Sequence, residues 1–230
     1  MIVSDFEKCL RDFNKQPIHI IGGVNSQFDY VSLDLSINND ELNRFDITNP
    51  KILETYIASV VRKGNKKVAY GGYNEVRNIY SRSTHFYRES KLDERNIHLG
   101  LDLWCNAGTP VLAALNGTVH SFKNNTAFGD YGPTVILEHQ IEGVIFYALY
   151  GHLSLASLET IQLGGIVAKG DVVGYLGDAS VNGDYPPHLH YQLIQDLEGA
   201  YGDYKGVTSI NNRVKDLVNC PDPNLLLKIY

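Results

Sequence analysis

Cysteine is scarce in this chain. Cys9, Cys105 and Cys220 are scattered over 230 residues, and no two form a C-x-x-C pair. That spacing excludes a disulfide framework, a zinc ribbon and a thioredoxin-type site. The three are expected to be small, mostly buried apolar residues of a protein from a reducing compartment. Basic charge is also short: 20 Lys and Arg face 26 Asp and Glu, a net charge of -6. Non-specific nucleic-acid binding relies on the opposite balance, so no nucleic-acid partner is expected. No apolar run approaches the roughly 18 residues that would span a bilayer, so no membrane insertion is expected. Asp5, Glu7 and Lys8 interrupt the N-terminal stretch where a signal peptide keeps an apolar core. The chain as written is therefore expected in the cytoplasm, or exported or periplasmic if a leader has been removed. Nothing in the sequence indicates an oligomeric state.

What is present suits a soluble globule. At 43% hydrophobic and 20% charged residues, the chain is long enough to bury a core without metal or disulfide staples. The spacing of Phe6, Cys9, Leu10 and Phe13 predicts a helix over 4–14, with Ser4 and Glu7 as a capping box. A second helix is predicted over 50–63, capped by Asn49, started by Pro50 and stopped by Gly64. Its buried face would be Ile52, Leu53, Tyr56, Ile57, Val60 and Val61. Residues 18–22 and 29–35 read as short strands and 37–48 as a loop. From about 97 to 195 the texture becomes short β-type runs separated by turn residues: Pro110–Ala114, Gly117–Phe122, Thr134–His139, Val144–Tyr150, Val172–Leu176 and Leu189–Ile194. Two glycine-spaced pieces, 108–117 and 164–170, look alike. The tail from about 196 reads as mostly irregular. No flexible linker separates the helical N-terminal part from the β part, so the two are expected to pack together.

Four of the eight histidines sit in suggestive settings. His188 and His190 form H-x-H; on a strand, positions i and i+2 share a face, so His188, His190 and Gln192 would line one surface while Leu189, Tyr191 and Leu193 enter the core. His98 and Asp102 form H-x-x-x-D, and a strand carrying both beside the H-x-H strand would add an imidazole and a carboxylate. Two imidazoles and a carboxylate suit zinc, and three protein ligands leave a fourth position for water. Histidines left over would be free to handle protons. His152 ends an apolar strand in YALYGHLS. His19, His85, His120 and His139 are read as structural, and Arg82 and Arg88 as solvated or ion-paired.

In order, these pieces resemble the M23 metallopeptidases, the lysostaphin and LytM type of peptidoglycan endopeptidase. The matching residues are His98-Leu-Gly-Leu-Asp102, Ala107-Gly-Thr-Pro-Val111, Gly117-Thr-Val119, Tyr150-Gly-His-Leu153, Val167 with Gly170, Val173-Gly174 and Pro187-His-Leu-His190. Within the family, Asp130-Tyr-Gly-Pro-Thr134, Asn182-Gly183 with Pro186-Pro187, and Pro221-Asp-Pro-Asn-Leu225 look like an M23-type module also found in aminotransferase-like multidomain proteins. The resemblance implies a mainly β fold: an antiparallel sheet or barrel-like LytM-type (duplicated hybrid motif) domain over 91–230. Residues 1–90 would be an α/β N-terminal extension packed on it. It implies one Zn2+ per chain held by His98, Asp102 and His190, with His152 and His188 as catalytic histidines that are not ligands. The implied activity is metal-dependent hydrolysis of a peptide bond, with a peptide or peptidoglycan stem or cross-link as substrate. The chain departs from the family pattern at 178–187, where a small-residue loop would usually precede H-x-H. Two other readings compete: an idle or non-peptidoglycan relative acting as a binding module or on a cytosolic substrate, and a histidine phosphocarrier, which would not need Asp102.

Overall fold

The computed structural model describes residues 5–84, 86 and 88–230; Ser4 of the capping box and His85 lie outside the described residues. The fold is mainly β. Its strands are β1 (Tyr30–Ser32), β2 (Val68–Gly71), β3 (Ile97–His98), β4 (Leu101–Trp104), β5 (Pro110–Leu112), β6 (Gly117–Asn125), β7 (Gly132–Ile141), β8 (Val144–Gly151), β9 (Ile166–Val167), β10 (Val172–Tyr175), β11 (His188–Ile194) and β12 (Val207–Thr208). The helices are α1 (Asp5–Phe13), α2 (Pro50–Gly64), α3 (Leu155–Thr160), α4 (Arg213–Asn219) and α5 (Asn224–Leu227). Eight strands form one sheet in the order β1-β2-β4-β11-β8-β7-β6-β9. All its pairs are antiparallel except β1 with β2. Two small antiparallel pairs, β10 with β5 and β12 with β3, complete the described strands.

Local chemistry explains the long hairpin. Between β7 and β8 only Glu142 and Gly143 turn the chain, both at positive φ (49° and 86°). Two central residues with positive φ match the twist of the flanking strands. The core follows from alternation along β11. Leu189, Tyr191 and Leu193 join Val135, Leu137, Ala148 and Tyr150 in the main apolar cluster. The intervening His188, His190 and Gln192 emerge on the other face, where they too are buried. A second apolar cluster, including Leu33, Leu53, Ile57, Ile79 and Trp104, joins the N-terminal part to β4.

Several expectations need correction. Residues 18–22 are not a strand: they make a single bridge, Ile21 to Val111, while the Ile18 N–H goes to the Leu227 carbonyl. The 29–35 strand is confined to β1. β2 was missed because its four residues follow a polar run and offer too little periodicity. The 37–48 loop contains a 3-10 turn at Asp40–Arg44, capped by Asn39. Gly64 does not stop α2; it is the last helical residue, and Asn65 takes the left-handed conformation at φ 50°. The apolar face of α2 is narrower than predicted, since Leu53 and Ile57 are buried but Ile52 is 40% exposed. Phe13 of α1 is also exposed. The tail is less irregular than expected, carrying β12, α4 and α5.

Candidate metal centre

β11 lies between β4 and β8, and its register sets the site. His190 is opposite Asp102 on β4 and Gly151 on β8, while His188 is opposite Trp104. His98 and Asp102 do not share a strand as expected. His98 ends β3, the chain passes through Leu99 and Gly100, and Asp102 lies in β4. This crossing is tight: a Cβ on Gly100 would stand 2.5 Å from His190 Cε1 and 2.9 Å from the Tyr191 carbonyl oxygen. His152 directly follows β8 in the left-handed region, φ 63°. Its N–H donates to the Tyr131 carbonyl at 3.0 Å, and its carbonyl accepts from the Gly177 N–H at 2.9 Å.

Three ligating atoms converge. His98 Nε2 lies 2.8 Å from His190 Nδ1. Asp102 Oδ1 is 3.2 Å from the former and 3.3 Å from the latter. The hydrogen-bond network fixes the proton on each ring. Gln192 Nε2 donates to the Lys205 carbonyl at 3.1 Å, so its Oε1 accepts from His190 Nε2–H at 2.9 Å. The Gly72 carbonyl accepts from His98 Nδ1–H at 2.9 Å. In the neutral rings, His98 Nε2 and His190 Nδ1 therefore carry lone pairs, and both face the carboxylate oxygen. Such an array lacks a positive charge at its centre. Tetrahedral zinc with Zn–N bonds of about 2.0–2.1 Å would set its donors about 3.3 Å apart, so the donor set and its spacing fit zinc. Burial pushes the His98 imidazole down to about 3, against the pull of Asp102. Burial also works against the charge of Asp102, but facing His98 and Arg77 hold its carboxyl well below the usual carboxylate range.

The other two histidines border this cluster. His188 Nδ1–H donates to the Pro186 carbonyl at 2.8 Å, and its Nε2 stands 3.9 Å from Asp102 Oδ1. Its ring stacks on Trp104 with centroids 3.9 Å apart. Burial pushes its pKa down to about 4. His152 Nδ1–H donates to the Asn182 carbonyl at 2.8 Å, and its ring centroid is 4.1 Å from that of His188. Burial, with neighbouring His188 and His190, holds His152 well below the ordinary histidine range. Each ring thus keeps Nε2 free as a proton acceptor. Both line a cavity of about 650 Å³, whose lining also includes Leu35, Ile79, Tyr80 and Phe86 from the N-terminal part.

All five residues singled out in the sequence are brought together. Sequence reasoning missed Arg77, Gly72 and Trp104, which support the cluster. A single Arg in YNEVRN carries no local signal, and Gln192 was legible only as a residue on the histidine face. The histidines read as structural behave differently from the site histidines: His19 stacks on Tyr30, His120 contacts Ser121 and Tyr147, and His139 donates to the Asn116 carbonyl. Arg82 pairs with Asp184 at 3.1 Å and lies over the Tyr185 ring.

Residues 96–203 match Peptidase family M23. Over 107 residues the chain is 31% identical to the L-Ala--D-Glu endopeptidase of Bacillus subtilis, covering 44% of this chain and 31% of that protein. Over 98 residues it is 34% identical to the peptidoglycan DD-endopeptidase ShyA of Vibrio cholerae, covering 42% of this chain and 20% of that protein. The chain thus spans less than a third of either relative. The catalytic domain of lysostaphin from Staphylococcus simulans aligns with 70% of this chain and 97% of its own at 22% identity, with a TM-score of 0.40. None of these three places the domain in an aminotransferase-like protein.

Proposed function

We propose that this chain, whose residues 96–203 form a Peptidase family M23 domain, is a zinc-dependent peptide-bond hydrolase acting on a stem or cross-link peptide of peptidoglycan. One observation carries the metal reading: two imidazole lone pairs and a carboxylate oxygen, on His98, His190 and Asp102, face one point in a buried site. Three protein ligands with an open fourth position are the pattern of catalytic rather than structural zinc. Bound there, the metal would supply a Lewis acid for the substrate carbonyl and lower the pKa of water. His188 Nε2 takes the proton of the attacking water, because the Pro186 carbonyl keeps its tautomer fixed and burial keeps it neutral. That proton is handed on to the free Nε2 of His152, one ring away, which carries it to the leaving amine, so the proton taken from the water ends on the amine. The cavity of about 650 Å³ beside them is the space in which a substrate peptide would lie. The substrate class is supported by the relatives, whose names specify an L-Ala–D-Glu bond and a peptidoglycan DD-bond.

The test is mass spectrometry of peptidoglycan and of short Gly-Gly and D-Ala peptides after incubation with the protein, with and without chelator, beside His188→Ala. The expected result is new peptide ends that vanish on chelation, return with zinc and fall about 10²–10⁴-fold in rate in the variant. Cleavage that survives metal removal would overturn the metal role. A protein holding one zinc that cuts none of these peptides would overturn the peptidoglycan assignment.

A further inference from the structure

We propose that Arg77, which lies outside the residues matched by the family, is a positioning residue of the metal centre: it takes one oxygen of Asp102 and so restricts that carboxylate to a single donor atom. The inference rests on the metal reading above and deepens it. Asp102 has two oxygens and is 1% exposed. Its Oδ1 faces His98 Nε2 and His190 Nδ1. Its Oδ2 accepts from Arg77 Nη1 at 2.6 Å. A charge-assisted bond of that length, with the guanidinium only 4% exposed, is costly to break because each charge would be left buried and alone.

Arg77 is itself held. Its Nε donates to Glu75 Oε2 at 2.5 Å, and the other oxygen of Glu75 accepts from the Leu35 N–H at 3.2 Å. The backbone N–H of Arg77 donates to the Asn96 carbonyl at 2.9 Å, and the His98 N–H donates to the Glu75 carbonyl at 2.9 Å. Gly72 makes the space: at φ 101° it sits where a Cβ would collide with Arg77 Nη2, and its carbonyl receives His98 Nδ1–H. The segment 72–77 therefore fixes two of the three ligands, His98 through a carbonyl and Asp102 through a guanidinium. A carboxylate free at both oxygens can bind a metal through both and occupy the position a water needs. With Oδ2 engaged by Arg77, three protein donors remain and the fourth position stays open. The N-terminal part thereby completes the site instead of only covering it.

The experiment uses the full chain loaded with cobalt(II) in place of zinc, comparing wild type, the double variant Glu75→Gln/Arg77→Met and the single variant Arg77→Lys. The double variant removes the guanidinium without leaving Glu75 as an orphaned charge. The expected result is a weaker visible cobalt absorption, changed from a four-coordinate to a five-coordinate pattern, and a zinc affinity about 10–100-fold lower by chelator competition. Arg77→Lys, which keeps the charge, should recover part of both. A folded double variant with the wild-type spectrum and affinity would overturn the proposal. If the double variant fails to fold, a crystal structure of the zinc-loaded wild type decides: Asp102 bound through one oxygen with Arg77 on the other is expected, and both oxygens on the metal would overturn it. Failure of the wild type to take up either metal would instead overturn the metal reading, a separate outcome from a wild-type-like variant.

Discussion

His152 carries a side chain at φ 63°, a left-handed conformation that residues other than glycine adopt uncommonly. Two backbone hydrogen bonds, to the Tyr131 carbonyl and from the Gly177 N–H, hold it there. Such strain persists only where surrounding contacts over-determine it, and it aims the ring at His188. Gly100 is the opposite case, a position where nothing but hydrogen fits. Gly100→Ala would place a methyl 2.5 Å from His190 Cε1. Overpacking of this kind costs about 1–3 kcal/mol, and here the group that must yield is a candidate ligand. The expected outcome is a lower melting temperature together with a zinc affinity reduced at least about tenfold. Competition with a chromophoric chelator measures it, and unchanged affinity would show that the His98–Asp102 crossing has more room than the distances imply.

At the scale of elements, α2 and the β4–β11–β8 trio have separate jobs. α2 packs on β1 and β2, the two strands at one end of the sheet. Asn49 Oδ1 accepts from the N–H groups of Lys51 at 3.0 Å and Ile52 at 3.3 Å, satisfying donors that the first turn leaves unpaired. Asn49→Ala should cost about 1 kcal/mol, read from the urea midpoint, with zinc affinity unchanged. A change in affinity without a change in stability would mean that α2 is coupled to the site. The start of α2 was legible because a cap is a local event. Its end was not, because Gly64 and Asn65 can both take the left-handed conformation, and the carbonyl partners at Val61 and Arg62 chose Asn65.

Over the whole molecule, metal and proton are linked to stability in ways that can be separated. A metal that binds only the folded chain adds stability by mass action, about 2.7 kcal/mol at a free concentration 100 times Kd. Zinc should raise the melting temperature of the wild type and leave Asp102→Asn nearly unmoved; equal shifts in both would place the binding elsewhere. His139 gives the proton term. It is buried, donates Nδ1–H to the Asn116 carbonyl and leaves Nε2 without a partner. Burial lowers its pKa, so the folded chain keeps it neutral while the unfolded chain protonates it near about 6.5. Its contribution is therefore fully present above that pH and is lost as pH falls from there through the folded value. Urea unfolding at pH 7.5, 6 and 5 should show a shallower acid loss in His139→Gln than in wild type. Parallel slopes would mean that other groups carry the acid limb.

The sequence by itself determined what depends on near neighbours. The two-residue period of β11 put His188 and His190 on one face and Leu189, Tyr191 and Leu193 on the other, whatever surrounds the strand. The cap at Asn49 and the ordered motifs from His98 to His190 were equally readable, since each is set within a few residues. Only the tertiary structure decided what depends on pairing across long separations. It placed His98 and Asp102 on different strands, joined β2 to β4, and set Gly71 opposite Asp102. That pairing brought Arg77 onto Asp102 and the Gly72 carbonyl onto His98. A buried guanidinium has no local sequence signature; its position is fixed by carboxylates two and twenty-five residues away, and only packing brings those together.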